Sequence, residues 1–218
     1  MARSAIGRIG LAAGIVSLLA TSPAATQPPS PKARTQSGVV VGQAESGLSV
    51  FRGVPYAAPP VGPLRWRPPQ PHAAWKGERV AAAFGLDCVQ TPFPGDSTPS
   101  IHTQSEDCLT LNVWSPEGAK AAPVMVWIHG GGFTNGLGSS PVFAGAALAR
   151  AGVVVVTLNY RLGRFGFFAH PALSAEKPDE PKGNYGFMDQ IAALQWVRAN
   201  IAAFGGDPNQ VTVFGESA

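Results

Sequence analysis

The stretch VTVFGESA, residues 211–218, sets a serine directly after an apolar run of strand length, with Gly215 two positions before it. In a nucleophile elbow, G-x-S-x-G turns the chain sharply from strand to helix and holds the serine hydroxyl clear of the carboxyl end of the sheet. The flanking residues are small because the strained backbone leaves no room for bulk. A bare G-x-S triplet also fits a serine that caps the following helix.

VMVWIHGGGF, residues 124–133, bears on that choice. A serine hydrolase needs backbone N–H groups aimed at the oxyanion of its tetrahedral intermediate, and consecutive glycines let the backbone come that close. Losing one such donor costs about 3–4 kcal/mol of transition-state stabilisation. The glycines follow the strand-like VMVWI, where the second oxyanion element belongs when an elbow supplies the other. A phosphate-cradling loop is the competing reading. It is the weaker one, because the chain has no G-x-x-x-x-G-K-[ST] and no G-x-G-x-x-G around 130–138.

Working outward, CLTLNVW (108–114), VMVWI and GVVVVTLNY (152–160) are continuous apolar runs. Such runs suit strands covered on both faces, as in a parallel sheet. PVFAGAALARA (141–151) is a short helix candidate. YGFMDQIAALQWVRANIAAF (185–204) places Phe187, Ile191, Leu194, Val197, Ile201 and Phe204 on one predicted helical face, and Gly205 and Gly206 stop it. Strands alternating with helices imply an α/β sheet. Before Cys108, GVVVGQAESGLSVFRGVPYA (38–57) predicts two short strands in a small antiparallel hairpin. PPVGPLRWRPPQP (59–71) is too proline-dense for helix or central strand, and Trp66 is its expected anchor.

Residues 1–25 carry Arg3 and Arg8, an apolar run from Ile9 to Ala20, and small residues at Ala24 and Ala25. This is the layout of a secretory signal peptide and falls short of the roughly 20 apolar residues that span a bilayer. Residues 26–37 continue a Pro-, Ser-, Thr- and Gln-rich texture and read as a flexible lead-in. The mature protein is expected to be secreted or periplasmic, with no membrane span. In an oxidising compartment, Cys88 and Cys108 are favoured as a disulfide over two free thiols.

The chain is 45% hydrophobic and 13% charged, which fits a well-buried core and argues against disorder. Its formal net charge is +3; without Arg3 and Arg8, 14 basic residues face 13 acidic ones. No nucleic-acid-binding surface is indicated.

FRGVPYAAPPVGPLRWRPPQP, EDCLTLNVWSP, VMVWIHGGGF, NYRLGRFGFF and the stretch from Gly183 to Ala218, in that order, resemble the type B carboxylesterase family, relatives of the cholinesterases. The resemblance runs from about residue 36 to the end. It implies an α/β-hydrolase fold, here its N-terminal part over 38–218, and hydrolysis of small-molecule carboxylic esters without metal or organic cofactor. By family position Ser217 is the nucleophile, and Gly131, Gly132 and Ala218 donate the oxyanion-hole N–H groups. Cys88 and Cys108 match the family's first disulfide. Glu216 falls where the family has a buried carboxylate beside the nucleophile, a supporting role. GFMDQ stands where a Leu-rich version is usual, a departure that touches packing and no catalytic group.

Serine catalysis also needs a histidine to take the hydroxyl proton and a carboxylate to hold that histidine. In α/β-hydrolases both follow the serine in the chain, so these 218 residues are expected to be the front part of a longer enzyme. His129 is expected to shape the glycine loop with its ring, His170 to cap or pack near a turn, and His72 and His102 to face solvent. None has the spacing of a zinc site. The loop 89–105 is expected to rim the entrance, offering Phe93 and His102 but no dense aromatic lining, so a choline-type cation site is not indicated. Relatives that use the fold for adhesion are a second reading, as is an inactive truncated product. Intact Ser217 and glycines favour the enzyme over the adhesion reading.

Overall fold

The structure, a computed structural model, describes Met1, residues 29–91, Phe93, Gly95, residues 99–100 and residues 102–218. The expected signal peptide therefore lies outside the described residues apart from Met1. The chain runs through β1 (Lys32–Arg34), β2 (Val39–Val41), β3 (Gln43–Glu45), β4 (Leu48–Pro55), β5 (Glu78–Val80), β6 (Asp87–Cys88) and β7 (Gln104–Ser105). Then come β8 (Thr110–Pro116), β9 (Ala122–Ile128), α1 (Ala146–Arg150), β10 (Val154–Leu158), α2 (Gly163–Phe167), α3 (Pro171–Glu176), α4 (Tyr185–Asn200) and β11 (Gly206–Gly215).

A six-stranded sheet in the order β11-β9-β10-β8-β4-β3 forms the body. Only β11, β9 and β10 run parallel; β8 is antiparallel to both β10 and β4. This corrects the expectation of parallel strands from Cys108 onward. The five residues of β10 and the five central residues of β8 are all buried. A continuous apolar run thus reports cover on both faces and says nothing of a neighbour's direction. Val124, Val126, Val154, Val156, Leu111 and Val113 form the centre of the core, with Val197, Ile201 and Phe204 packed on it. Burying each such side chain contributes about 1.5–3 kcal/mol.

The amino-terminal region differs from its expectation in two ways. Lys32–Arg34 is no flexible lead-in: it pairs antiparallel with Val39–Val41, Ala33 is buried, and the Thr35 hydroxyl donates to the Gly38 carbonyl to close the turn. Polar composition gave no sign of the partner strand. The small sheet is also mixed, β2 being antiparallel to β1 and parallel to β5. The antiparallel hairpin is β3–β4, and it joins the large sheet instead. Ser46 and Gly47 both take positive φ there, the two-residue turn whose twist suits paired strands.

Helix α4 buries a different face from the one its apolar spacing predicts. Tyr185, Asp189, Ala193, Trp196, Val197 and Asn200 are buried, whereas Phe187 and Ile191 are exposed by 42% and 55%. Polar residues occupy the inner face because each has a partner. Asp189 receives Arg161 through Nε and Nη2 at 2.8 and 2.7 Å, and the Arg161 backbone N–H at 3.0 Å. Burial pushes the Asp189 carboxyl up, and these three bonds act against that push. Asn200 accepts from the Gln36 N–H at 2.7 Å.

The proline-rich segment is anchored as expected at Trp66, whose indole N–H donates to the Arg164 carbonyl at 2.8 Å. Arg161 also donates to the Arg67 carbonyl at 2.9 Å, and Arg65 makes a two-pronged pair with Glu106. Cys88 and Cys108 form a disulfide across a separation of 20 residues. A closed loop of that size stabilises the fold by about 3 kcal/mol in the chain-entropy account.

Candidate active site

Strands β9 and β11 are adjacent, parallel, and in register with Gly215 opposite Ile128. Both therefore leave the sheet at the same level, and the chains that follow them, 129–133 and 216–218, emerge side by side. The carboxyl ends of parallel strands are where α/β sheets bind their ligands.

Contact between these two segments is tight. A Cβ on Gly130 would lie 2.3 Å from the Glu216 carbonyl oxygen and 2.9 Å from the Ser217 Cβ, so only glycine fits. The Phe133 N–H donates to the Ala218 carbonyl at 3.3 Å, and the Phe133 carbonyl accepts from Gly163 at 2.7 Å. Ser217 sits at φ 60°, a left-handed conformation that costs a non-glycine residue about 1–3 kcal/mol and persists only where surroundings enforce it. Gly131 is likewise left-handed at φ 115°, with its carbonyl accepting from the Thr134 and Asn135 N–H groups. Among the described residues, no acceptor takes the N–H of Gly131, Gly132 or Ala218. Gly131, Gly132, Ser217, Glu216, Phe93 and Phe143 line one cavity of about 400 Å³.

A profile of the carboxylesterase family matches residues 29–218. The chain is 54% identical over 200 residues to the fumonisin B1 esterase of Sphingopyxis macrogoltabida, covering 90% of this chain and 37% of that protein. It is 50% identical over 190 residues to the para-nitrobenzyl esterase of Bacillus subtilis strain 168, covering 84% of this chain and 37% of the relative. A solved PNB esterase superposes with a TM-score of 0.78 at 47% identity, over 86% of this chain and 38% of that one. The chain belongs to the carboxylesterase family. It has the α/β-hydrolase fold over the part it shares with these relatives, and it spans about 37% of their length.

Within this carboxylesterase chain, most residues singled out from sequence converge at the ends of β9 and β11. His129 is 2% exposed, its ring stacked 4.4 Å from Tyr160 and its Nδ1 2.9 Å from the Gly130 carbonyl. A carbonyl only accepts, so the proton is on Nδ1. Nε2 is buried with no partner among the described residues. Burial pulls the His129 pKa down to about 4, against opposing pulls from the Gly130 carbonyl and Asp87. The neutral ring is therefore part of the folded state at neutral pH.

That has a consequence for stability. A group whose folded pKa lies below its ordinary 6.5 contributes stability that is complete above 6.5 and lost as pH falls toward 4. His129 is expected to remove about 3 kcal/mol across that window. Denaturant midpoints of the full-length protein at several pH values measure it. His129→Gln should flatten the curve between these limits, and an unchanged slope in that variant would assign the proton uptake elsewhere.

Glu216 is exposed and lines the cavity beside Ser217. Expectations for two histidines are corrected and that for a third is met. His102 is half-buried instead of solvent-facing: its ring lies 5.7 Å from Phe84 and its backbone N–H donates to Asp87. It takes no part in the cavity, whereas Phe93 does. His72 is half-buried with its ring against Trp75 at 5.5 Å. His170 caps α3, its Nδ1 accepting from Ala172.

Sequence reasoning missed Gly130 as the close-approach residue, although its place at the head of the glycine triplet was a signal. It also missed Phe143, whose short apolar turn carries none.

Proposed function

We propose that the full-length protein is a serine carboxylic-ester hydrolase acting through an acyl-enzyme on Ser217. The observation that carries this reading is the shared cavity: the strained Ser217 and the unclaimed Gly131 and Gly132 amides line one space large enough for a small ester. The Ser217 oxygen adds to the ester carbonyl, and its proton passes to a general base. The tetrahedral oxyanion accepts hydrogen bonds from the Gly131, Gly132 and Ala218 N–H groups. Collapse expels the alcohol, which takes the proton. Water then repeats the addition on the acyl-enzyme and releases the acid and the free serine. By the chain order of this fold, the general base and its carboxylate partner belong to residues after Ser217. The esterase names of the relatives support small esters as the substrate class.

Export belongs to the same proposal and rests on residues 1–25 together with the Cys88–Cys108 disulfide, which suits an oxidising compartment. Among the described residues, no helix is long and apolar enough to cross a membrane.

A fluorophosphonate reporter tests the nucleophile. Full-length protein incubated with it should gain one adduct, located to Ser217 by peptide mass spectrometry, and lose ester turnover in proportion. Complete labelling at Ser217 with undiminished turnover would defeat the reading.

A further inference from the structure

We propose that Gln90 is a positioning residue for the oxyanion loop, clamping Gly136 so that the Gly131 and Gly132 amides are held against Ser217. The proposal rests on the reading of Ser217 as nucleophile.

Gln90 follows Cys88 by two residues, inside the disulfide-closed loop. Its Nε2 donates to the Gly136 carbonyl at 3.0 Å and to the Cys88 carbonyl at 3.1 Å, while its Oε1 accepts from the Gly136 N–H at 2.9 Å. One carboxamide thus satisfies both backbone groups of Gly136, much as a neighbouring strand would. The Gln90 backbone is fixed in turn, its N–H donating to Gln104 Oε1 at 3.1 Å.

Gly136 presses on the root of the glycine loop. It is buried at φ 121°, and a Cβ there would lie 2.2 Å from His129 Nδ1 and 2.4 Å from the Gly130 carbonyl oxygen. Gly130 in turn abuts Glu216 and Ser217. A displacement of Gly136 therefore passes to His129 and Gly130, and from there to the amides that follow. Asp87, next to Cys88 just outside the disulfide loop, accepts from the Ser139 hydroxyl at 3.2 Å, and Asn159 Oδ1 accepts from Gly138 at 2.8 Å. Those bonds secure the return limb farther along the chain; Gln90 holds the residue that touches the loop's root.

The test uses full-length protein and a p-nitrophenyl ester. Gln90→Leu keeps the approximate length and loses both bonds to Gly136. Its kcat is expected to fall about 10- to 100-fold, with KM changed less than about threefold, because misplaced donors act on the transition state more than on bound ester. Gln90→Glu adds a readout that mere loop destabilisation would not produce. Protonated, Glu offers an O–H to the Gly136 carbonyl and an oxygen to its N–H, as Gln does. Ionised, it sets a second acceptor against that carbonyl. The ratio of its kcat to the parent's should fall as pH rises from about 5 to about 8; taking the ratio cancels titration of the general base.

Ser100→Ala loosens the same loop by removing the hydroxyl that donates to Asp87 at 2.8 Å, touches neither Gln90 nor Gly136, and is expected to leave kcat within about threefold of the parent. Gln90→Leu with near-parental kcat, or a loss matched by Ser100→Ala, overturns the proposal. If Gln90→Leu does not fold, the Glu ratio decides, and a flat ratio overturns it. Ser217→Ala measured alongside separates the two ideas. Turnover surviving in Ser217→Ala removes the functional reading, whereas its loss beside a parent-like Gln90→Leu removes only the role of Gln90.

Discussion

Ser217→Ala in the full-length protein is expected to lower p-nitrophenyl acetate hydrolysis by about 10⁴-fold or more. The size follows from what the residue supplies. Without the hydroxyl no acyl-enzyme forms, and only direct attack by water remains, helped by the oxyanion donors. The fold should be little disturbed, because Ser217 is exposed and its hydroxyl makes no hydrogen bond among the described residues. Alanine is nearly isosteric and inherits the same left-handed φ, so its thermal midpoint should stay close to that of the parent. Steady-state kinetics with a melting curve measure both. Turnover above about a tenth of the parent's in a folded variant would assign the nucleophile elsewhere.

Gly130→Ala should have the second largest effect, an expected loss of about 10²–10³-fold in kcat. The added Cβ would lie 2.3 Å from the Glu216 carbonyl oxygen and 2.9 Å from the Ser217 Cβ. Both obstacles belong to or adjoin the backbone, so no flexible side chain can swing aside. The glycine loop and the elbow must part, and a separation of about 1 Å is enough to misplace oxyanion donors by that margin. Gly132→Ala gives the contrast: among the described residues, its chain neighbours aside, no atom lies within 4 Å of its Cβ position, and a left-handed φ of 59° opposes it. That strain costs roughly 1–2 kcal/mol and should appear in stability more than in kcat. If Gly130→Ala keeps a kcat within about threefold of the parent, close approach is not what the first glycine provides.

The two motifs that defined the candidate site were legible because each is local. G-x-S after a strand and three glycines after another strand are written in a few consecutive residues, and the backbone demands that produce them act over the same few. Burial of β8 and β10 was legible for a similar reason, since a side chain's hydrophobicity reports its surroundings directly. The same signal misled at α4. Apolar spacing put Phe187 and Ile191 inside, whereas the buried positions include Asp189 and Asn200. Those polar residues are buried because Arg161 and Gln36 reach them, and no periodicity in a single helix can register a partner on another element. Lys32–Arg34 was misread alike, its strand being made by Val39–Val41 and not by its own composition.

By itself, then, the sequence determined which segments are covered strands, where the chain must turn tightly, and which serine and glycines could carry acyl transfer. Those properties follow from side-chain hydrophobicity and local backbone sterics. Tertiary structure alone decided what lies against what. The register of β9 with β11 brings Gly130 against Ser217, and a carboxamide from the disulfide loop meets Gly136 across 46 residues of chain. Such contacts arise from hydrogen-bond geometry between strands and loops distant in sequence. Their energy depends on positions to a fraction of an ångström, which the order of residues in any one segment does not encode.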